Sequence, residues 1–196
     1  MSSPERLILE ATQRCCERWG IAKVTVDDVA AEAGVSRATL YRMFPGGRDV
    51  LFEALRLQEL EDFFVRLRSH LDGATDLRDL LVRTVVHATH ELREDRHLAL
   101  MLGSEPGDTL SQLTVEGLPR IIRVATLFIS PLLDDYLDRA EALRLVDVLS
   151  RLVISYFLAP SDQVDLGEPD QARAFIDAFI LPAFSAGPTL TAFPRS

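Results

Sequence analysis

Apolar residues recur at three- and four-residue intervals along most of the chain, and glycine or proline interrupts them at spacings that suit helices. Alternating, strand-like stretches are nearly absent, so the pattern predicts an all-α fold of about nine helices. The first helix is expected over 4–19, with Leu7, Ile8, Ala11, Cys15 and Trp19 facing inward and Gly20 as its stop. Thr25 followed three residues on by Asp28 resembles a capping box and opens a short helix that Gly34 ends. Ser36 caps a third helix to Phe44, and Val35 and Leu40 stand at the spacing of a hydrophobic staple. Pro45, Gly46 and Gly47 break the chain before a long amphipathic helix over 48–71. Further helices are expected over 76–95, 97–102, 108–137 with a break near 117–119, 139–159 and 169–185. Loops are expected at 103–107 and 160–169, with a frayed tail beyond Gly187.

The apolar content of 47% with 26% charged residues suits a globular protein, and 196 residues suffice for a small head of about 50 residues on a larger body. No apolar run approaches the roughly 18 residues that span a bilayer, and the N-terminus lacks the pattern of a secretion signal. A cytoplasmic location without membrane contact is the expectation. Cys15 and Cys16 are adjacent on a helix, where their side chains diverge by about 100°, and read as packing residues. The net charge of −9 is unevenly spread: residues 1–50 carry seven bases and seven acids, and the acidic excess lies in 51–196. A neutral head on an acidic body would approach DNA head first, although ordinary solvated surface charge accounts for the same balance.

Residues 25–44 have the layout of a helix-turn-helix. Val29, Ala30 and Ala33 allow close approach, and Leu40 with Met43 or Phe44 buries the inner side of the third helix. That leaves Arg37, Ala38, Tyr41 and Arg42 on the outer side, where arginine can bond guanine bidentately and tyrosine can reach a phosphate. Ser36 and Thr39 stand where hydroxyls hold phosphates at a helix N-terminus. Two plain amphipathic helices would show the same spacing.

Arg6-Leu-Ile-Leu-Glu-Ala11 and Gly34-Val-Ser-Arg-Ala-Thr-Leu-Tyr-Arg-Met-Phe44 together resemble the TetR family of regulators, as does Arg48-Asp-Val-Leu51 after them. The resemblance covers residues 6–52 in sequence and is architectural beyond. It implies phosphate contacts at Thr25, Ser36, Thr39, Tyr41 and Arg48, and base reading by Arg37 and Arg42. Two departures bear on it: the Pro45-Gly46-Gly47 turn is one residue longer than usual, and Asp27 stands where relatives carry a basic or polar residue. The division implied is a DNA-binding domain over 1–47 and a ligand-binding and dimerisation domain over 48–196.

A single head covers one half-site, so the body must supply a dimer. The 139–159 helix carries more than one apolar stripe, and the last helix pairs Phe175 with Phe179 and Ile176 with Ile180. Leu145, Leu149, Leu152, Tyr156, Phe175, Ile176, Phe179 and Ile180 are the expected dimer contacts, completion of the monomer core being the alternative. Phe64, Val86, His90, Met101, Leu102, Ile122, Thr126 and Phe157 are candidates to line a ligand cavity, and their character favours a hydrophobic or aromatic effector. His87, His90, Glu94 and His97 would share an arc of about 80° on one continuous helix, but their spacing matches no compact metal motif and a solvated face explains them. No cofactor is expected. No paired nucleophile and base, nucleotide loop or metal motif suggests an enzyme. The functional expectation is a repressor that binds a palindromic operator as a homodimer and is released by a small effector, with a helical protein-binding adaptor as the alternative.

Overall fold

The computed structural model describes residues 4–104 and 106–185, so the expectation for the tail beyond Gly187 lies outside the described residues. Among them every element is helical: α1 (Pro4–Trp19), a 3-10 turn (Ile21–Lys23), α2 (Val26–Ala33), α3 (Arg37–Met43), α4 (Arg48–Leu71), α5 (Leu77–Glu94), α6 (Arg96–Ser104), α7 (Pro106–Leu113), α8 (Leu118–Leu133) and α9 (Arg139–Leu158). A last helical run comprises α10 (Pro169–Phe175), a π-helical stretch (Ile176–Ile180) and α11 (Leu181–Ser185). The expected break in 108–137 separates α7 from α8, and the expected 169–185 helix is interrupted by the π stretch.

The chain forms two compact units, one of residues up to Phe63 with Asp95–Thr114, the other of Phe64–Glu94 with the residues from Val115 onward. The 47/48 division marks the end of the helix-turn-helix, whereas the first part of α4 packs with the head: Leu51, Phe52 and Leu55 are buried in the same core as Ile8, Val29 and Leu40.

In the first unit α1 lies against α2, and α2 against α3. The buried stripe of α1 runs from Ile8, Leu9, Ala11 and Thr12 to Cys15 and Cys16. Leu7 and Trp19, expected inside, are instead 48% and 41% exposed. The stripe is turned toward Leu9 and Thr12, and burial of Thr12 is tolerated because its hydroxyl donates to the Ile8 carbonyl at 2.8 Å. Both cysteines are buried thiols; desolvation pushes Cys16 up to about 12, so it acts as a small packing group. Glu32 of α2 ties α1 down through Arg14 at 2.8 Å and Arg18 at 3.6 Å.

Helix α6 begins where Asp95 accepts a hydrogen bond from the Leu98 N–H at 2.9 Å, and none of its side chains is fully buried. His97 in its first turn lies 3.5 Å from the Glu59 carboxylate of α4. Glu59 Oε1 and His97 Nδ1 are both buried without a hydrogen-bond partner among the described residues.

In the second unit α5 packs on α9 and α10, and α8 on α9. Four residues expected at a dimer surface, Leu145, Leu149, Ile176 and Ile180, are at most 6% exposed within the single chain. They are core of this unit, because the inward stripe of α9 is the one that meets α5 and α8. The outward residues are Val148 and Phe179, 40% and 67% exposed, with Leu152, Tyr156 and Phe175 half-buried beside them. Tyr156, Phe175 and Phe179 form an aromatic file with centroids 5.8 and 4.9 Å apart.

The histidine arc does not form, because α5 ends at Glu94 and His97 belongs to the other unit. His87 instead stacks on His70, with centroids 4.2 Å apart and planes within 7° of parallel. In-plane lone pairs of parallel rings cannot converge on one ion. His90 Nε2 lies 3.0 Å from the Gly167 carbonyl, in a loop that Arg93 also holds through both carboxylate oxygens of Asp165 at 2.8 and 3.2 Å. The Arg93 guanidinium, with the Gly167 N–H, holds Asp165 below the usual carboxylate range.

Candidate nucleic-acid interface

The turn between α2 and α3 is specified residue by residue. Thr25 Oγ1 accepts from the Asp28 N–H at 3.2 Å, and Asp28 Oδ2 accepts from the Thr25 N–H at 2.9 Å, completing the capping box. The Thr25 hydroxyl also donates to Asp28 at 2.6 Å, and these bonds hold the Asp28 carboxyl below its ordinary range. Gly34 ends α2 in the left-handed region at φ 68°, where its N–H reaches back to the Ala30 and Ala31 carbonyls. Ser36 then accepts from the Thr39 N–H at 3.0 Å and starts α3.

With Leu40 fully buried and Phe44 only 3% exposed, the inner side of α3 is pinned to the head core and Met43 packs partly beside them. The outer side presents Arg37, Ala38, Tyr41 and Arg42 to solvent. These four expected DNA-facing residues therefore lie on one accessible face. Thr25, Ser36 and Thr39 stand at the N-termini of α2 and α3; Thr25 and Ser36 are exposed, Thr39 is half-buried, and their hydroxyls already serve the caps. Arg37 Nη1 donates to Asp27 Oδ2 at 3.0 Å, and its guanidinium carbon lies 5.4 Å from the Tyr41 ring centroid. This Asp27 contact, ten residues away across the turn, has no signal in the sequence pattern.

Arg48 is placed differently from a phosphate contact. Its Nε donates to the Val24 carbonyl at 3.1 Å and its Nη2 to the Ile21 carbonyl at 2.7 Å, while the guanidinium covers the Phe52 ring at 4.6 Å. The long turn is the cause. Gly46 at φ 121° and Gly47 at φ 71° swing the start of α4 back toward the 3-10 turn, and a Cβ on Gly46 would come within 2.5 Å of Val50. Arg48 thus clasps the segment between α1 and α2 to the first turn of α4. Arg48→Ala is expected to lower the stability of the first unit by about 2 kcal/mol, since it leaves two carbonyls unpaired. Thermal unfolding followed by Trp19 fluorescence would show the loss, and an unchanged midpoint would return Arg48 to the candidate phosphate contacts.

The expected ligand-lining residues divide. Phe64 and Val86 are buried in the second unit, where Phe64 stacks on Phe128 at 5.9 Å, and Ile122, Thr126 and Phe157 are half-buried there with His90 at the Gly167 loop. Thr126 spends its hydroxyl on the Ile122 carbonyl at 2.8 Å. Met101 and Leu102, half-buried on α6, belong to the first unit. One polar atom of the second unit that periodicity gave no reason to single out is Ser130 Oγ, buried on α8 without a hydrogen-bond partner among the described residues.

Residues 8–55 match the model of the bacterial regulatory proteins of the tetR family. The chain is 32% identical over 126 residues to an uncharacterized HTH-type transcriptional regulator of Mycobacterium tuberculosis, a match covering 60% of this chain and 64% of the relative. Among solved structures it is similar to the TetR family repressor AlkX of a Dietzia strain, implicated in biodegradation of n-alkanes, at 25% identity and TM-score 0.68 over 92% of this chain and 95% of that one. The R. erythropolis transcriptional repressor QsdR shares the fold, at 15% identity and TM-score 0.62 over 96% and 98% of the two chains. With the family's helix-turn-helix at its N-terminus and the fold of a solved member along nine tenths of its length, the chain belongs to the TetR family.

Proposed function

We propose that this protein is a transcriptional repressor that binds a palindromic operator as a homodimer and is released by a small hydrophobic or aromatic effector. The observation that carries the reading is the two-sided α3, with Leu40 and Phe44 buried and Arg37, Ala38, Tyr41 and Arg42 exposed together. An exposed face with two arginines and a tyrosine at the start of a helix has the chemistry for guanine edges, thymine methyls and phosphates. The HTH-type regulators and the repressor to which the chain is similar support it.

The homodimer is assigned to the outward face of the last helices, where Phe179, Val148 and the half-buried Leu152, Tyr156 and Phe175 expose apolar surface that a second copy would cover. The effector is assigned to the second unit, with Phe64, Val86, Ile122, Thr126 and Phe157 as apolar walls and His90 or Ser130 as the polar anchor.

Selection of bound duplexes from a random pool tests the proposal. Wild type is expected to enrich a palindrome whose half-sites lie about one helical turn apart. Replacing both Arg37 and Arg42 with alanine is expected to abolish enrichment while circular dichroism stays unchanged, because both side chains are exposed. A wild-type protein that enriches no sequence would favour the protein-binding adaptor.

A further inference from the structure

Asp27 sits in the first turn of α2, where a carboxylate usually serves the helix N-terminus. Here that duty is discharged by Thr25 and Asp28, and Asp27 turns across to α3 to accept from Arg37 at 3.0 Å. The face of the same guanidinium lies on Tyr41, and Tyr41 is itself backed by the turn: a Cβ on Gly47 would come within 3.1 Å of the ring. Arg37 is thus held on one edge by a carboxylate and on one face by a ring with little room to move. The opposite edge of its fork points away from both.

The fold gains little from this arrangement. Arg37 and Asp27 are 63% and 62% exposed, and an ion pair at such exposure contributes at most about 1 kcal/mol. On a surface that approaches phosphates, a carboxylate also weakens attraction. Both facts change once water leaves the contact. In the lower dielectric of a closed interface the pair strengthens, and an arginine already fixed in one orientation loses less entropy when it meets a base edge bidentately.

We propose that Asp27 is a positioning residue that holds Arg37 for bidentate reading of one guanine in each half-site, trading general DNA affinity for selectivity. The proposal rests on the reading of α3 as the DNA-recognition helix. The carboxylate makes the pointing of Arg37 a property of the free protein, so that the wrong base meets a guanidinium that cannot swing away to a nearby phosphate.

The test is selection from a random duplex pool with wild type, Asp27→Ala and Asp27→Asn, followed by titration of a random-sequence duplex at low salt. In wild type one guanine per half-site should be strongly preferred. Asp27→Ala should relax that single position about tenfold, the scale of one bidentate pair, and leave the other positions unchanged. It should also bind the random-sequence duplex several-fold more tightly, because one negative charge per head is gone. Asp27→Asn, which keeps an acceptor but not the charge, should retain part of the preference. If wild type enriches a guanine-containing site and Asp27→Ala keeps the same discrimination, the role of Asp27 is overturned while the DNA-reading helix stands. If wild type enriches nothing, the reading helix itself fails and Asp27 with it.

Discussion

Leu40→Ala is expected to destabilise the first unit by about 2–5 kcal/mol, the range for truncating a fully buried leucine whose site cannot collapse. Leu40 has no exposed surface and stands in a core with Ile8, Val29, Phe44 and Leu51, drawn from α1, α2, α4 and the end of α3. Collapse around the cavity is hindered because α3 is fixed at its start by Ser36 and at its end by the two-glycine turn. The single tryptophan, Trp19, closes α1 in this unit, so its fluorescence in a denaturant titration follows the first unit selectively. This matters because a chain of two compact units need not unfold in one step. A loss below about 1 kcal/mol would show that α3 repacks, which is inconsistent with a rigid reading face.

The second expected effect is a pH dependence of stability that traces to one carboxyl. Burial pushes Glu59 from its ordinary value of 4.5 up to about 7, with the charge of Asp95 adding to the effect, Arg56 opposing it, and Glu17 and Asp62 adding more. The facing groups therefore come from α1, from α4 and from the start of α6, where His97 stands 3.5 Å away. A carboxyl whose value is raised on folding binds its proton more tightly in the folded state. Its stabilising contribution is complete below about pH 4.5 and is lost as the pH rises through about 7. Each tenfold gain in proton affinity on folding corresponds to about 1.4 kcal/mol; reduced for the partial exposure of the side chain, the loss is on the order of 2 kcal/mol. Glu59→Gln should match wild type near pH 4.5 and exceed it by that amount at about pH 8, measured as denaturant midpoints across the range. Parallel curves for the two proteins would overturn the assignment. Helix α6 should register the change most directly, since it has no fully buried side chain of its own to hold it.

Much of the head was legible because its signals are local. Thr25 with Asp28, Gly34, Ser36 and the Pro45-Gly46-Gly47 break all act within a few residues of where they stand, and the helices begin and end beside them. The partners that escaped are those set by tertiary placement. Arg48 finds carbonyls 24 and 27 residues earlier, and Asp27 finds Arg37 across a turn. Neither distance has a sequence period. In the second unit periodicity correctly marks α9 as apolar on more than one side, but it cannot say which stripe meets α5 and α8. Leu145 and Leu149 therefore looked no different from Leu152, although only the last is left half-exposed. The same limit separates Leu7 from Leu9 on α1, where neighbouring stripes differ by a small rotation of the helix.

The π-helical stretch at Ile176–Ile180 fits an extra residue into the last helical run, since its hydrogen bonds reach five residues back instead of four. It has the form of an insertion that the fold has absorbed. Deleting one residue inside it, such as Ala178, would restore the tighter pitch and rotate everything after it by about 100° relative to α10. Ile180 would leave the core and the outward aromatic file ending at Phe179 would be broken. For this chain, relatives with a one-residue gap at 176–180 are therefore not interchangeable in the last helical run, and a chimera joined there would change which side chains meet a second copy.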